Sequence, residues 1–204
     1  TARLGLDDLE GHGREPVIKQ ADISRTIGWF TSRFPVLLHA DTGEETGQLV
    51  KEVKESLRRV PNKGVGYGIL KYLTAMEKKS GMVFHRDPLI SFNYLGDFSG
   101  GDGPEHEGLF TMSPMPTGRT ISPDMERPTV IDINGLISDH HLIMSFTYDK
   151  GSFDTESIQS LADHYKNTLK AVIDHCLGKE ETEVTYSDID TVDVDEEDFD
   201  AIFE

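Results

Sequence analysis

Cysteine is almost missing from this sequence: Cys176 is the only one among 204 residues. No disulfide can close within the chain and no cysteine-rich metal site can be assembled from it. The pattern fits a reducing compartment, and a cytoplasmic location is expected. Cys176 falls at helical spacing from Val172 and Ile173 and reads as a small core residue. Long apolar runs are also missing, so no membrane span is expected, and the N-terminus shows no signal-peptide pattern. Positive charge is scarce: 20 Lys and Arg face 37 Asp and Glu, a net charge of −17. Such a chain is repelled by a phosphate backbone, which argues against a nucleic-acid partner. The imbalance is uneven, because residues 179–204 hold twelve acids against one lysine. With 36% hydrophobic residues, the sequence predicts one sizeable domain over 1–178 and an acidic linker or docking tail over 179–204.

What is present is a mixture of helical and strand periods. Between Glu44 and Val60, Leu49, Val50, Val53, Leu57 and Val60 form one apolar stripe. That predicts a helix capped by Asp41 or Thr42 and closed by Pro61. A second helix is predicted over 66–79, with Leu70, Leu73 and Met76 on its inner side, and a third over 155–177. Residues 89–95 alternate as a strand, with Ile90, Phe92 and Tyr94 on one face. Residues 129–137 and 141–148 read as a hairpin joined at Ser138-Asp139-His140. A further strand is expected within 29–38, where Pro35 demands an edge or a bend. The Gly-, Pro- and Ser-rich stretch 99–128 reads as loop with one short strand near 109–112, and a short helix is expected near 196–203. Helices interspersed with strands predict an α/β sandwich, one sheet covered by helices.

Four short runs stand out, the first and last for their chemistry and the middle two as mainly architectural. Glu10-Gly11-His12-Gly13-Arg14-Glu15 gathers two carboxylates, an imidazole and a guanidinium into six residues. That composition suits proton transfer better than core packing. Arg25-Thr26-Ile27-Gly28-Trp29-Phe30-Thr31 follows, and Trp29 and Phe30 are expected to bury large apolar area. Pro61 to Gly68 spaces Gly64, Gly66 and Gly68 like a phosphate cradle, but no strand precedes it, and a nucleotide site is rejected. Phe92-Asn93-Tyr94-Leu95-Gly96 ends a predicted strand, so Asn93 and Tyr94 point to opposite sides. No metal site is expected.

In this order and spacing, the four runs resemble the epimerization domain of nonribosomal peptide synthetases, a member of the condensation-domain-like superfamily. The resemblance extends from about Glu10 to Cys176. It implies a lobe with the chloramphenicol-acetyltransferase-like fold, a two-layer α/β sandwich with a mixed sheet covered by helices. It implies inversion, L to D, of the α-carbon of an aminoacyl or peptidyl thioester. No intrinsic cofactor is implied, because the substrate rides on the 4'-phosphopantetheine arm of a peptidyl carrier protein. By the same resemblance Glu10 is catalytic and Tyr94 donates a hydrogen bond to the developing enolate. Asn93, His12 and Arg14 are expected near the substrate, with the smaller catalytic effect at Asn93. Condensation-type relatives carry an HHxxxD-type motif, whereas His140-His141 is followed by Leu142-Ile143-Met144-Ser145 and reads as part of the hairpin. The partner histidine is expected in a separate N-terminal lobe, and this chain alone is expected to be inactive. The alternatives are a carrier-binding lobe without chemistry and an acyl-transferring condensation domain.

Overall fold

The structure is a computed structural model that describes residues 2–15, 17–18, 21–41, 43–79, 81–84, 88–99, 115–116, 118–119, 121–122 and 124–188. Its frame is a five-stranded mixed sheet. The strands are β1 (Ala2–Gly11), β2 (Ser32–Asp41), β3 (Ile90–Asp97), β4 (Ile131–Ser138) and β5 (His141–Tyr148), ordered β2-β1-β3-β4-β5. β1 runs parallel to β3 and β3 to β4, while β2 and β5 close the two edges antiparallel. Pro35 therefore sits on an edge strand, where its missing N–H disrupts no ladder. Asp139 and His140 form the tight turn of the β4–β5 hairpin, both with positive φ of 47° and 60°.

The strand register sorts side chains into two unlike faces. Paired residues share a side, so Leu9, Phe34, Val36, Phe92, Ile131, Ile133 and Phe146 fall together on one face. Helix α1 (Thr46–Arg58) packs on β2, and helix α3 (Thr155–Leu177) packs on β5 and on α1. Phe34, Val36 and Ile131 are buried there together with Ile158 of α3. Tyr165 of α3 meets Phe146 edge to face, with ring centroids 5.8 Å apart. Asp154 caps α3, accepting from the Ser157 amide at 2.7 Å. The cap residue of α1 is Glu45, whose side chain makes no capping bond, in place of the expected Asp41 or Thr42.

Three expectations are corrected. The predicted helix over 66–79 is broken into a short α2 (Val65–Gly68), a π-helical turn (Ile69–Leu73) and a 3-10 turn (Met76–Lys79). Leu73 and Met76 are exposed, so the apolar period there marks no buried stripe. Trp29 is 92% exposed, lying in an irregular segment ahead of β2 rather than in a strand. Cys176 is exposed, because the inward side of α3 at its last turn is taken by His175, which lies against Gly47 of α1. The expected strand near 109–112 and helix near 196–203 lie outside the described residues.

The acidic segment does not begin where packing ends. Residues 183–188 lie along the basic side of α1 as a strap. Asp188 pairs with Lys54 and with Arg58, the latter at 2.6 Å, and Lys51 reaches Glu183 at 3.4 Å. The Arg59 guanidinium lies over the Tyr186 ring, 5.4 Å from its centroid. Glu55, on the same side of α1, accepts from the Thr185 hydroxyl and from the Ser187 hydroxyl at 2.6 Å. Burial pushes the Glu55 carboxyl upward, yet hydrogen bonds from Ser187, Thr185 and Tyr186 together hold it below its ordinary value. The Lys54 ammonium, the Thr185 amide and the Arg58 guanidinium hold the Asp188 carboxyl well below the usual carboxylate range.

Both carboxyls are depressed in the folded chain, so their contribution is complete above the unfolded value near ~4 and is lost as pH falls through the folded values. Thr185 is only 6% exposed. Thr185→Val should destabilise the chain by about 1–3 kcal/mol at pH 7, since it leaves a buried carboxylate short of a donor. The deficit should shrink on acidification below roughly pH 4. Thermal melts of both chains at the two pH values check this, and equal melting points at pH 7 would contradict the strap.

A polar sheet face as candidate active site

On the second face of the sheet two rows that cross all five strands are polar, while Leu37, Leu136 and Ile143 share that face further along. One row runs Arg33, Glu10, Asn93, Asn134, Ser145. The Glu10–Asn93 neighbourhood is the next step of the parallel register that pairs Leu9 with Phe92. A second row, one pleat away, runs Pro35, Asp8, Ser91, Asp132, Thr147. Nine of these ten positions are polar, Pro35 being the exception, and rows of this kind do not drive core formation. They offer hydrogen-bonding groups to something placed against them.

The lower row is locked. Asp132 accepts from Ser91 Oγ at 2.7 Å and from Thr129 and Arg127, while Arg127 also donates to the Thr147 carbonyl at 3.1 Å. Ser91 and Thr129 are buried. The upper row is looser. Arg33 Nη2 lies 2.5 Å from Asp8 Oδ2, and Arg33 Nε lies 3.6 Å from Glu10 Oε1. The Glu10 side chain is 26% exposed. Its carboxylate thus lies part-exposed on the polar rows with Arg33 as its ion-pair neighbour, an arrangement a proton-transfer group can use.

Asn93 follows Phe92 on β3, and its side chain is carried to the Glu10 face. Tyr94 is carried to the other face, where it is 49% exposed. Its ring lies beside Gly135, with Cδ2 3.4 Å from the place a β-carbon would occupy there, and on the same side as Met144. The structure therefore brings Glu10 and Asn93 together and sets Tyr94 apart from both.

His12 and Arg14 leave the sheet and build the loop that follows β1. The Arg14 guanidinium donates to the Ile23 carbonyl at 2.8 Å and the Thr26 carbonyl at 2.9 Å, and it stacks 4.3 Å from the centre of the Phe30 ring. His12 Nδ1 accepts from the Arg14 amide at 3.0 Å, which leaves Nε2 as the protonated nitrogen, 3.3 Å from Glu15. Glu15 also meets Lys63 at 3.3 Å. Gly13 takes φ 68° here, and a β-carbon would overlap the Phe30 carbonyl. Most of the six-residue run is thus a clamp that fixes the end of β1. Glu10 is the member that the strand itself presents.

Two further side chains belong to the site and escape sequence reading. Asn134 and Ser145 extend the Glu10 row onto β4 and β5. Their signal was the alternation of the hairpin strands, Asp132-Asn134 and Ser145-Thr147, which marks a polar side on elements otherwise rich in Ile and Phe. Among the described residues no group of three or more His, Cys, Asp and Glu side chains could hold a metal ion, and no helix is long and apolar enough to cross a membrane. His140 and His141 sit at the β4–β5 turn, outside both rows.

Comparison with known proteins places these features in a family. The condensation-domain family model matches residues 8–193. The chain is 44% identical to Surfactin synthase subunit 1 of Bacillus subtilis over 96% of its length, covering 5% of that protein. It is 41% identical to Gramicidin S synthase 1 of Brevibacillus brevis over 97% of its length, covering 18% of that protein. Among solved structures, it superimposes on the epimerization domain from the third module of tyrocidine synthetase B with a TM-score of 0.77 and 42% identity. That match covers 86% of this chain and 38% of the other.

Proposed function

The chain belongs to the condensation-domain family, and on that premise we propose that it is part of an epimerization domain of a peptide synthetase. The reaction is inversion of the α-carbon of an aminoacyl or peptidyl thioester carried on the phosphopantetheine arm of a carrier protein. A thioester acidifies its α-C–H bond more than an amide does, so one positioned base removes the proton without a pyridoxal cofactor. The electron pair moves into the carbonyl as an enolate, and an acid on the opposite side returns a proton with inverted configuration. Glu10 is one of the two acid–base groups. The other, a histidine by family resemblance, belongs to a lobe that faces the polar side of the sheet. The observation that carries this reading is the Glu10 carboxylate, 26% exposed and beside Arg33 on the polar rows of the sheet.

Asn93, on the same face, has an amide that can donate to the thioester oxygen as negative charge develops. On this reading Asn93 ranks above Tyr94, the opposite of the order expected from the sequence, and the side of β3 that Asn93 shares with Glu10 supports it. In the intact protein that carries this chain, Asn93→Ala should slow α-proton exchange by roughly 10²-fold, the worth of one oxyanion donor. Tyr94→Phe should leave the rate near that of the native protein. Exchange of solvent deuterium into the carrier-bound thioester measures both. A slow Tyr94→Phe beside a normal Asn93→Ala would place the substrate on the wrong side of β3.

A further inference from the structure

We propose that Arg33 is the positioning residue for Glu10, acting through the carboxylate and not through the substrate. This rests on the assignment of Glu10 as a proton-transfer group. Arg33 stands opposite Glu10 in the β1–β2 ladder and diagonal to Asp8, two residues along β1 on the same face. Its guanidinium spans the two acids, Nη2 on Asp8 at 2.5 Å and Nε toward Glu10 at 3.6 Å. Asp8 anchors the far end. The near end is incomplete, because Arg33 Nε is buried and has no hydrogen-bond acceptor.

A buried donor without an acceptor is unfavourable, and Glu10 Oε1 lies just beyond hydrogen-bond distance of it, at 3.6 Å. The geometry draws Glu10 toward β2 and restricts the rotamers its carboxylate samples over the polar rows. A freely rotating glutamate on the same strand would reach the α-proton in only a fraction of its conformers. Holding a reacting group in place is worth orders of magnitude in rate, and a displacement of ~1 Å can lose ~10²-fold. Arg33 shares its charge between two carboxylates, so it is poorly placed to serve as a third party's anion site. Its contribution belongs in the chemical step.

The experiment is a double-mutant cycle in the intact protein, read as α-deuterium exchange of a carrier-bound L-aminoacyl thioester. Arg33→Met, which keeps the length and loses the fork, should lower kcat roughly 10- to 100-fold with little change in KM. Arg33→Lys should recover part of that loss. In a Glu10→Gln background the same Arg33→Met change should have almost no further effect, because the carboxylate it positions is gone. Melting temperatures of Arg33→Met and Arg33→Lys show whether each variant is folded, and Arg33→Lys keeps the cycle usable if Arg33→Met is not. An equal loss in both backgrounds, a rise in KM at constant kcat, or a native rate in Arg33→Met overturns the proposal while leaving Glu10 intact. A native protein that exchanges no α-proton overturns the reading of Glu10 and this proposal together.

Discussion

Glu10→Gln is expected to slow α-proton exchange by ~10²–10⁴-fold, about 3–5 kcal/mol of barrier, while the protein keeps its fold. The substitution is nearly isosteric and removes only the capacity to take or give the proton. Stability should change little, because Arg33 retains Asp8 as its closer partner, at 2.5 Å against 3.6 Å for Glu10. The measurement is deuterium uptake at the α-carbon together with a thermal melt. A variant that melts normally and exchanges at the native rate would remove Glu10 from the chemistry. A variant that loses both would make Glu10 a structural residue of β1.

The largest expected effect on stability lies elsewhere, at Gly64. The chain turns from α1 into α2 through Asn62, Lys63 and Gly64, all with positive φ, and Gly64 has φ 80°. A β-carbon on Gly64 would fall into the ring of Phe34, one of the buried residues of the sheet's apolar face. Gly64→Ala thus combines a left-handed backbone penalty of about 1–2 kcal/mol with overpacking of about 1–3 kcal/mol. The sum is a large part of the ~5–15 kcal/mol that stabilises a typical domain. Gly66→Ala is the control: nothing lies within 4 Å of its β-carbon position and it sits inside α2, so its melting temperature should stay the same or rise slightly. Comparable losses at Gly64 and Gly66 would mean that the close approach to Phe34 is not what the glycine is for.

The elements legible in the sequence are those whose signals are local. α3 spans Thr155–Leu177 as its three-and-four period predicts, and the β4–β5 hairpin turns at Asp139-His140 between two alternating strands. β1 was not legible. It lies between β2 and β3, yet it carries Asp7, Asp8 and Glu10, a composition that argues against a strand inside a sheet. Only its neighbours explain it: Arg33 on β2 answers two of those acids, Asp8 and Glu10.

Burial keeps the Asp7 carboxyl above its ordinary value, as expected for the one acid of the three that points to the helix side. The strap over α1 was equally hidden, since Glu55 and Thr185 are 130 residues apart and an acidic run reads as solvated until its basic partner is seen. At the candidate site, the motif singles out Glu10. The side of β3 that faces it was not legible, because alternation separates Asn93 from Tyr94 without saying which shares a face with β1. The β1–β3 register supplies that information.

Proton transfer at carbon, rather than acyl transfer, is the chemistry we propose for the polar rows of the sheet. The measurement that tests it most directly uses the intact protein with an L-aminoacyl carrier protein in D2O and no acceptor amine, followed by mass and chirality of the released amino acid. One deuterium at the α-carbon and the D-enantiomer are expected to appear at an enzyme-like rate, both abolished together by Glu10→Gln. Retained L configuration without deuterium, with amide product forming once an acceptor-loaded carrier is added, would contradict it.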